Sequence, residues 1–237
     1  MSYRCVLFDL DGTLVDTIDL IIQSAQAAFA TCNRAVPSRA EIVAGIGRPL
    51  MSQFGDFTSD AAEVELLLLA YRAFQLEHHD RLTVPYDGVS DVVRELVADG
   101  RRLGVVTSKI EPLAHRALAH IGINECFPVV IGLESTTRHK PDPAPLLHAM
   151  EQLGAEPNDT VYVGDSPFDL QAAHAASIAS IAVSWGAFSG ERLREERPTH
   201  AASTADELRR VLFPPGNNGR PRDMHETGAT AVGRRVR

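Results

Sequence analysis

Residues 6–17 read VLFDLDGTLVDT. The apolar run Val6-Leu7-Phe8 stops at Asp9, and Asp11, Gly12 and Thr13 follow within four residues. Extended back to Arg4, the run reads as a short strand buried on both faces. Two carboxylates at the end of a buried strand are unfavourable unless a counter-charge or a chemical task holds them there. Their partners must come from farther along the chain.

Beyond the insert that follows this stretch, short apolar runs recur: LGVVTS (103–108), FPVVIG (127–132), TVYVGD (160–165) and SIASIAVS (177–184). Helical patterns alternate with them at 88–98, 112–121, 143–153 and 167–175, and a last helix is expected at 204–212. Near-continuous apolar strands alternating with helices predict an α/β fold, a doubly wound parallel sheet with a Rossmann-like core. Residues 16–83 have a different texture. DTIDLIIQSAQAAFATC and SDAAEVELLLLAYRAFQLEHHD carry helical spacing, with Asp16 and Ser59 as expected N-caps. AGIGRPLMSQFGDF between them, rich in Gly and Pro, reads as loop. The expected organisation is a core of residues 1–15 and 84–213 and a small all-helical insert at 16–83. A disordered tail is expected at 214–237. ELLLLA reads as a buried helix face. His78 and His79 read as packing residues, because neighbours on a helix point about 100° apart.

Composition narrows the function. The 237 residues are 44% hydrophobic and 23% charged, with a formal net charge of −8. From Pro214 onward five arginines face Asp223 and Glu226, a sum of +3, so the rest carries −11. Such a body repels a phosphate backbone, which argues against nucleic acid as a partner. No apolar run approaches the roughly 20 residues of a membrane span. The start does not read as a signal peptide, and a cytoplasmic location is expected. Cys5, Cys32 and Cys126 share no metal-ligand spacing and read as free thiols. Monomer and homodimer both stay open.

In an open parallel sheet, ligands bind outside the carboxyl ends of the strands. Those ends carry matched chemistry here: Asp9 and Asp11, Thr107 and Ser108, Asp165 with Asp169 four residues later, and Lys140 before a helix start. Several acids brought together need a counter-charge, and Mg²⁺, with its preference for oxygen ligands, supplies one. Mg²⁺ and Lys140 turn an acidic pocket into a phosphate site, to which Thr107 and Ser108 add hydrogen bonds. Asp9 is then a candidate nucleophile that forms an aspartyl-phosphate. Asp11 is a candidate acid and base, and Gly12 allows the turn that lets it face the same phosphate.

DLDGTLVDT, VVTSK, KPDP and VGDSPFD resemble, in order, the four motifs of the haloacid dehalogenase-like hydrolase superfamily. The resemblance spans residue 4 to about 212. It implies Asp9 as nucleophile, Asp11 as acid and base, Thr107 on the phosphate, and Lys140 on phosphate and nucleophile. It implies Mg²⁺ held by Asp9, the Asp11 backbone carbonyl and Asp165, with Asp169 in the same acidic cluster. The insert resembles the family's small mobile cap, with hinges expected at 14–17 and 82–88. DTIDLIIQSAQ, YRAFQLEHHD and VVTSKI resemble bacterial pyrophosphatases that are themselves similar to phosphoglycolate phosphatases. The expected substrate is therefore small and phosphorylated: pyrophosphate first, then 2-phosphoglycolate or another monoester. The cap loop GIGRPL departs from that pattern, and its Arg48 is a candidate extra cation for the substrate. A phosphomutase and a non-catalytic phosphate-binding module are the alternatives. A dehalogenase would leave Asp11 and the acidic cluster idle.

Overall fold

Val6 and Phe8 point to one face of a sheet, Cys5 and Leu7 to the other, and all four are fully buried. This alternation requires cover on both faces. The computed structural model describes residues 3–214, so the tail expected to be disordered lies, past Pro214, outside the described residues. In chain order the elements are β1 (Cys5–Phe8), β2 (Val15–Asp16), α1 (Ile18–Thr31), α2 (Arg39–Gly45), α3 (Leu50–Gly55) and α4 (Ala61–His78). There follow β3 (Val84–Pro85), α5 (Val89–Ala98), β4 (Arg102–Val106), α6 (Glu111–His120), β5 (Val129–Ile131) and α7 (Ala144–Leu153). The last are β6 (Thr160–Gly164), α8 (Pro167–Ala175), β7 (Ala179–Val183), α9 (Gly190–Glu195), β8 (His200–Ala202) and α10 (Ala205–Leu212).

The main sheet has six strands in the order β5-β4-β1-β6-β7-β8, and every neighbouring pair is parallel. Leu7 lies between Gly104 of β4 and Tyr162 of β6. The chain builds outward from β1 to β4 and β5, then returns to β1's other side for β6, β7 and β8. The reversal falls at the carboxyl end of β1, where such sheets hold their ligands. Helices α5, α6 and α10 pack on the face of Val6 and Phe8, and α7 and α8 on the other.

The helices between β2 and β3 bury a core of their own. Ile18, Ile21, Ile22, Ala25 and Phe29 of α1 meet Val64, Leu67, Leu68 and Tyr71 of α4. Phe54 of α3 stacks edge-on against Phe29 and Tyr71, each at 5.9 Å. Each such large side chain contributes about 1.5–3 kcal/mol by leaving water. The antiparallel pair β2–β3 joins this layer to the sheet, with Val15 opposite Pro85.

Several expectations need correction. The stretch expected as loop contains the end of α2 and all of α3, because its Gly and Pro punctuate helix ends. Gly47 takes φ +102°, and Pro49 occupies the N-cap of α3. Helix α2 starts at a capping box: Ser38 Oγ accepts from Glu41 N, and Glu41 accepts from Ser38 N at 2.8 Å. Asp60, not Ser59, caps α4 and accepts from Ala62 N at 2.9 Å. At α1 the N-cap position is Thr17, while Asp16 accepts from Ile18 N at 3.2 Å. Leu67 and Leu68 of ELLLLA are buried, but Leu66 and Leu69 are exposed, since a helix turns only part of a four-leucine run inward. Helix α9 and strand β8 were not expected.

Candidate active site

The carboxyl ends of β1, β4 and β6 meet at the switch point, and the strand-end residues converge there. Asp9 extends β1 by one bond, its N–H donating to the Val163 carbonyl at 2.8 Å. Its carboxylate accepts from Lys140 Nζ at 2.8 Å. Lys140, buried between β4 and β6, also donates to Asp169 Oδ1 at 2.6 Å and to the Tyr162 hydroxyl at 3.1 Å. Tyr162 donates onward to the Val106 carbonyl at 2.8 Å. The other Asp169 oxygen accepts from Ser166 N and Oγ, at 3.0 and 2.6 Å, as part of the capping box of α8.

Asp165, just past β6, accepts from Thr13 Oγ1 at 3.1 Å and from Ala187 N at 2.7 Å. Room for this carboxylate comes from two glycines. A Cβ on Gly12 or on Gly186 would lie 2.2 Å from Asp165 Oδ2, and Gly12 also takes φ +86°. Oxygens of Asp9, Asp165 and Asp169 lie within 4.8 Å of one another, all buried. Burial pushes the Asp9 carboxyl up to about 7 against the pull of Lys140, with Asp169 adding to the rise. Burial, then Asp169 and Asp9, hold Asp165 well above the carboxylate range. Burial would lower the Lys140 ammonium, but Asp169 and Asp9 outweigh it and raise it. Three buried carboxylates against one ammonium form an all-oxygen donor set with excess negative charge, which fits a hard divalent cation.

Asp11 faces the other way, into a cleft between the sheet and the helical layer. Its Oδ1 accepts from Thr17 Oγ1 and from Lys109 Nζ, both at 2.5 Å. Asp9, Thr107, Ser108 and Arg48 share the cleft wall, whereas Lys140, Asp165 and Asp169 lie behind it. Thr107 N donates to the Ile131 carbonyl at 2.9 Å, and its Oγ1 accepts from Lys109 N at 3.2 Å. Ser108 Oγ reaches across to the Gly47 carbonyl at 2.7 Å. Arg48 pairs with Asp56 at 2.5 Å and lies 5.7 Å from the centre of the Phe168 ring.

All eight sequence-predicted residues thus surround one region, in two layers. Lys109, Thr13, Thr17 and Tyr162 escaped the sequence reading. Lys109 stands beside Ser108 in VVTSK and was legible there as a cation at a strand end. Tyr162 read as an apolar strand residue, and only the pairing of β6 with β1 brings its hydroxyl to Lys140. Of the histidine pair, His79 is fully buried with Nδ1 2.8 Å from Asp80, whose carboxylate also takes Arg116 of α6 at 3.0 Å. Burial lowers its imidazole below the ordinary value. His78 packs on Phe74, so neither lines the cleft.

The chain is similar to proteins with hydrolase names. The pyrophosphatase PpaX of Halalkalibacterium halodurans is 34% identical over 208 residues, covering 88% of this chain and 96% of that protein. That of Bacillus cereus is 36% identical over 185 residues, covering 78% and 85%. The crystal structure of a predicted phosphatase from Clostridium acetobutylicum superposes with a TM-score of 0.81 at 26% identity, covering 90% of this chain and 99% of that one. Residues 6–183, which hold every strand-end group described above, match the family model of the haloacid dehalogenase-like hydrolases. The chain belongs to that family.

Proposed function

We propose that this protein is a Mg²⁺-dependent phosphohydrolase that works through a phosphorylated Asp9 on a small phosphorylated substrate. The observation that carries the reading is the Lys140 ammonium bridging Asp9 and Asp169 inside a cluster of three buried acids. Asp9, the Asp11 backbone carbonyl and Asp165 would hold Mg²⁺. Both Asp169 oxygens already take protein donors, which suits it to fixing Lys140 and Ser166 beside the metal. When bound, Mg²⁺ supplies the positive charge that lets a carboxylate approach a phosphate.

The Asp9 oxygen not held by Lys140 attacks phosphorus in line, and the bond to the leaving oxygen breaks. Asp11 protonates that oxygen, then takes a proton from the water that cleaves the aspartyl-phosphate. Thr17 and Lys109 both bind Asp11 Oδ1, which leaves Oδ2 for these transfers. Because the Thr107 hydroxyl accepts from Lys109 N, its own proton is available to a phosphate oxygen. Ser108 spends its hydroxyl on Gly47 and offers its backbone N–H. In this reading the helical layer is a cap that opens for substrate and closes to exclude water, with β2 and β3 at its hinges.

Pyrophosphate is the substrate named in the PpaX relatives. A second reading, a small phosphate monoester, is favoured by the many apolar side chains in the cleft wall. The test is phosphate release with Mg²⁺ and with EDTA, on pyrophosphate and on monoesters. Metal-dependent release from any of them supports the reading, and none from any of them overturns it.

A further inference from the structure

Helix α4 turns one face to the cleft. Leu68, Tyr71, Arg72 and Gln75, spaced i, i+3, i+4 and i+7, all line it. Tyr71 is 2% exposed and Gln75 4%. Neither side chain has a hydrogen-bond partner among the described residues. Neither is among the unpartnered polar atoms sealed from solvent, so their polar ends face the open cleft rather than closed protein. Two hydrogen-bonding groups held one turn apart on the wall of the cleft, near Asp11 and without protein partners among the described residues, mark where a ligand can complete them.

The rest of this end of the cleft says what the ligand is. Ile46, Leu50 and Leu68 from the helical layer face Ile110, Leu113 and Leu133 from the sheet side. Two of the cations already have acid partners: Lys109 pairs with Asp11, and Arg48 with Asp56, while the buried Arg48 Nε has no partner among the described residues. Arg72 forms no ion pair among the described residues, but it is exposed at the rim. A second phosphate set between these walls would lose its hydration and find its buried cations already facing acids. Burial and the nearby Asp11 charge hold the Tyr71 phenol above its ordinary value, so it stays a neutral donor at neutral pH. Gln75 adds a neutral donor and acceptor.

Resting on the phosphohydrolase reading above, we infer that Tyr71 and Gln75 form a subsite for the leaving group. It selects a phosphate monoester of an uncharged organic alcohol, one with an apolar carbon face and a further hydroxyl or carbonyl group. Pyrophosphate and 2-phosphoglycolate, whose leaving groups carry charge, are the poorer substrates.

The test is steady-state kinetics of the full chain with Mg²⁺ on pyrophosphate, 2-phosphoglycolate, a hexose phosphate and p-nitrophenyl phosphate. The expected result is a higher kcat/KM for the hexose phosphate than for pyrophosphate or 2-phosphoglycolate. Tyr71→Phe and Gln75→Leu, which keep the packing volume, are each expected to lower the ratio of kcat/KM for the hexose phosphate to that for p-nitrophenyl phosphate. The expected fall is about tenfold, carried mainly by KM, because only the hexose presents a hydroxyl to lose. A purely structural role would lower both substrates together and leave the ratio unmoved. Preference for either charged leaving group, or an unmoved ratio in both variants, overturns the inference. A preference for pyrophosphate abolished by Asp9→Asn would overturn it while leaving the phosphohydrolase standing. Absence of metal-dependent release from any substrate would remove both.

Discussion

At Gly12 the backbone takes φ +86° and passes so close to Asp165 that a methyl group would overlap its carboxylate. Gly12→Ala therefore combines backbone strain with a collision inside the acidic cluster. It is expected to cost more than about 1 kcal/mol of stability and most of the turnover, read from denaturant midpoints and phosphate release. At Asp9 the opposite separation is expected. Asparagine keeps the shape and still accepts from Lys140, but it cannot act as the nucleophile. Asp9→Asn should lower turnover by about 10⁴-fold or more with an unchanged circular dichroism spectrum. Appreciable activity in that variant would remove Asp9 from the role. At this scale the residue types were legible in the sequence, because acids, hydroxyls and a lysine at the ends of apolar runs are conspicuous. The family resemblance of KPDP also implied that Lys140 meets Asp9, but nothing in that stretch says that Lys140 bridges on to Asp169, 29 residues away.

Among the elements, the strands and longer helices follow from apolar periodicity, and α1, α4 and β1 stand close to where that periodicity puts them. The short elements were missed where end signals had to be weighed against composition. Gly and Pro around residues 44–57 suggested loop, yet Ser38 and Glu41 form a capping box that starts α2. Ser38→Ala is expected to cost about 1 kcal/mol, measured as a shift of the thermal midpoint. The same change at Ser59 should be nearly neutral, because Asp60 does the capping there. Helix α9 and strand β8 are too short for a period to emerge. β8 exists because β7 offers it an edge, with Ile181 opposite His200.

For the whole molecule, the charge balance of the acidic cluster sets a pH dependence. In the metal-free protein the Asp9 carboxyl is raised from 3.8 to about 7, so between those values the folded state holds a proton that the unfolded chain releases. That group's contribution to stability therefore falls as pH rises through this window, and Asp165 acts in the same direction. The thermal midpoint of metal-free wild type, taken relative to Asp9→Asn, should drop from about pH 4 to about pH 7, and saturating Mg²⁺ should flatten the drop. A rising difference would contradict the burial of Asp9. The sequence by itself determined the class of the sheet, its helical partners, the helical insert and the residue types at the strand ends. These depend on local periodicity and on the chemistry of single side chains. Only the tertiary structure decided that β1 lies between β4 and β6, and that Lys140 and Tyr162 stand behind Asp9. It alone decided that Lys109 and Thr17 hold Asp11, and that Tyr71 and Gln75 face the cleft without partners among the described residues. Apart from Thr17, six residues from Asp11, these placements join residues far apart in the chain, fixed by strand order and by how the helical layer packs, and no local pattern encodes them.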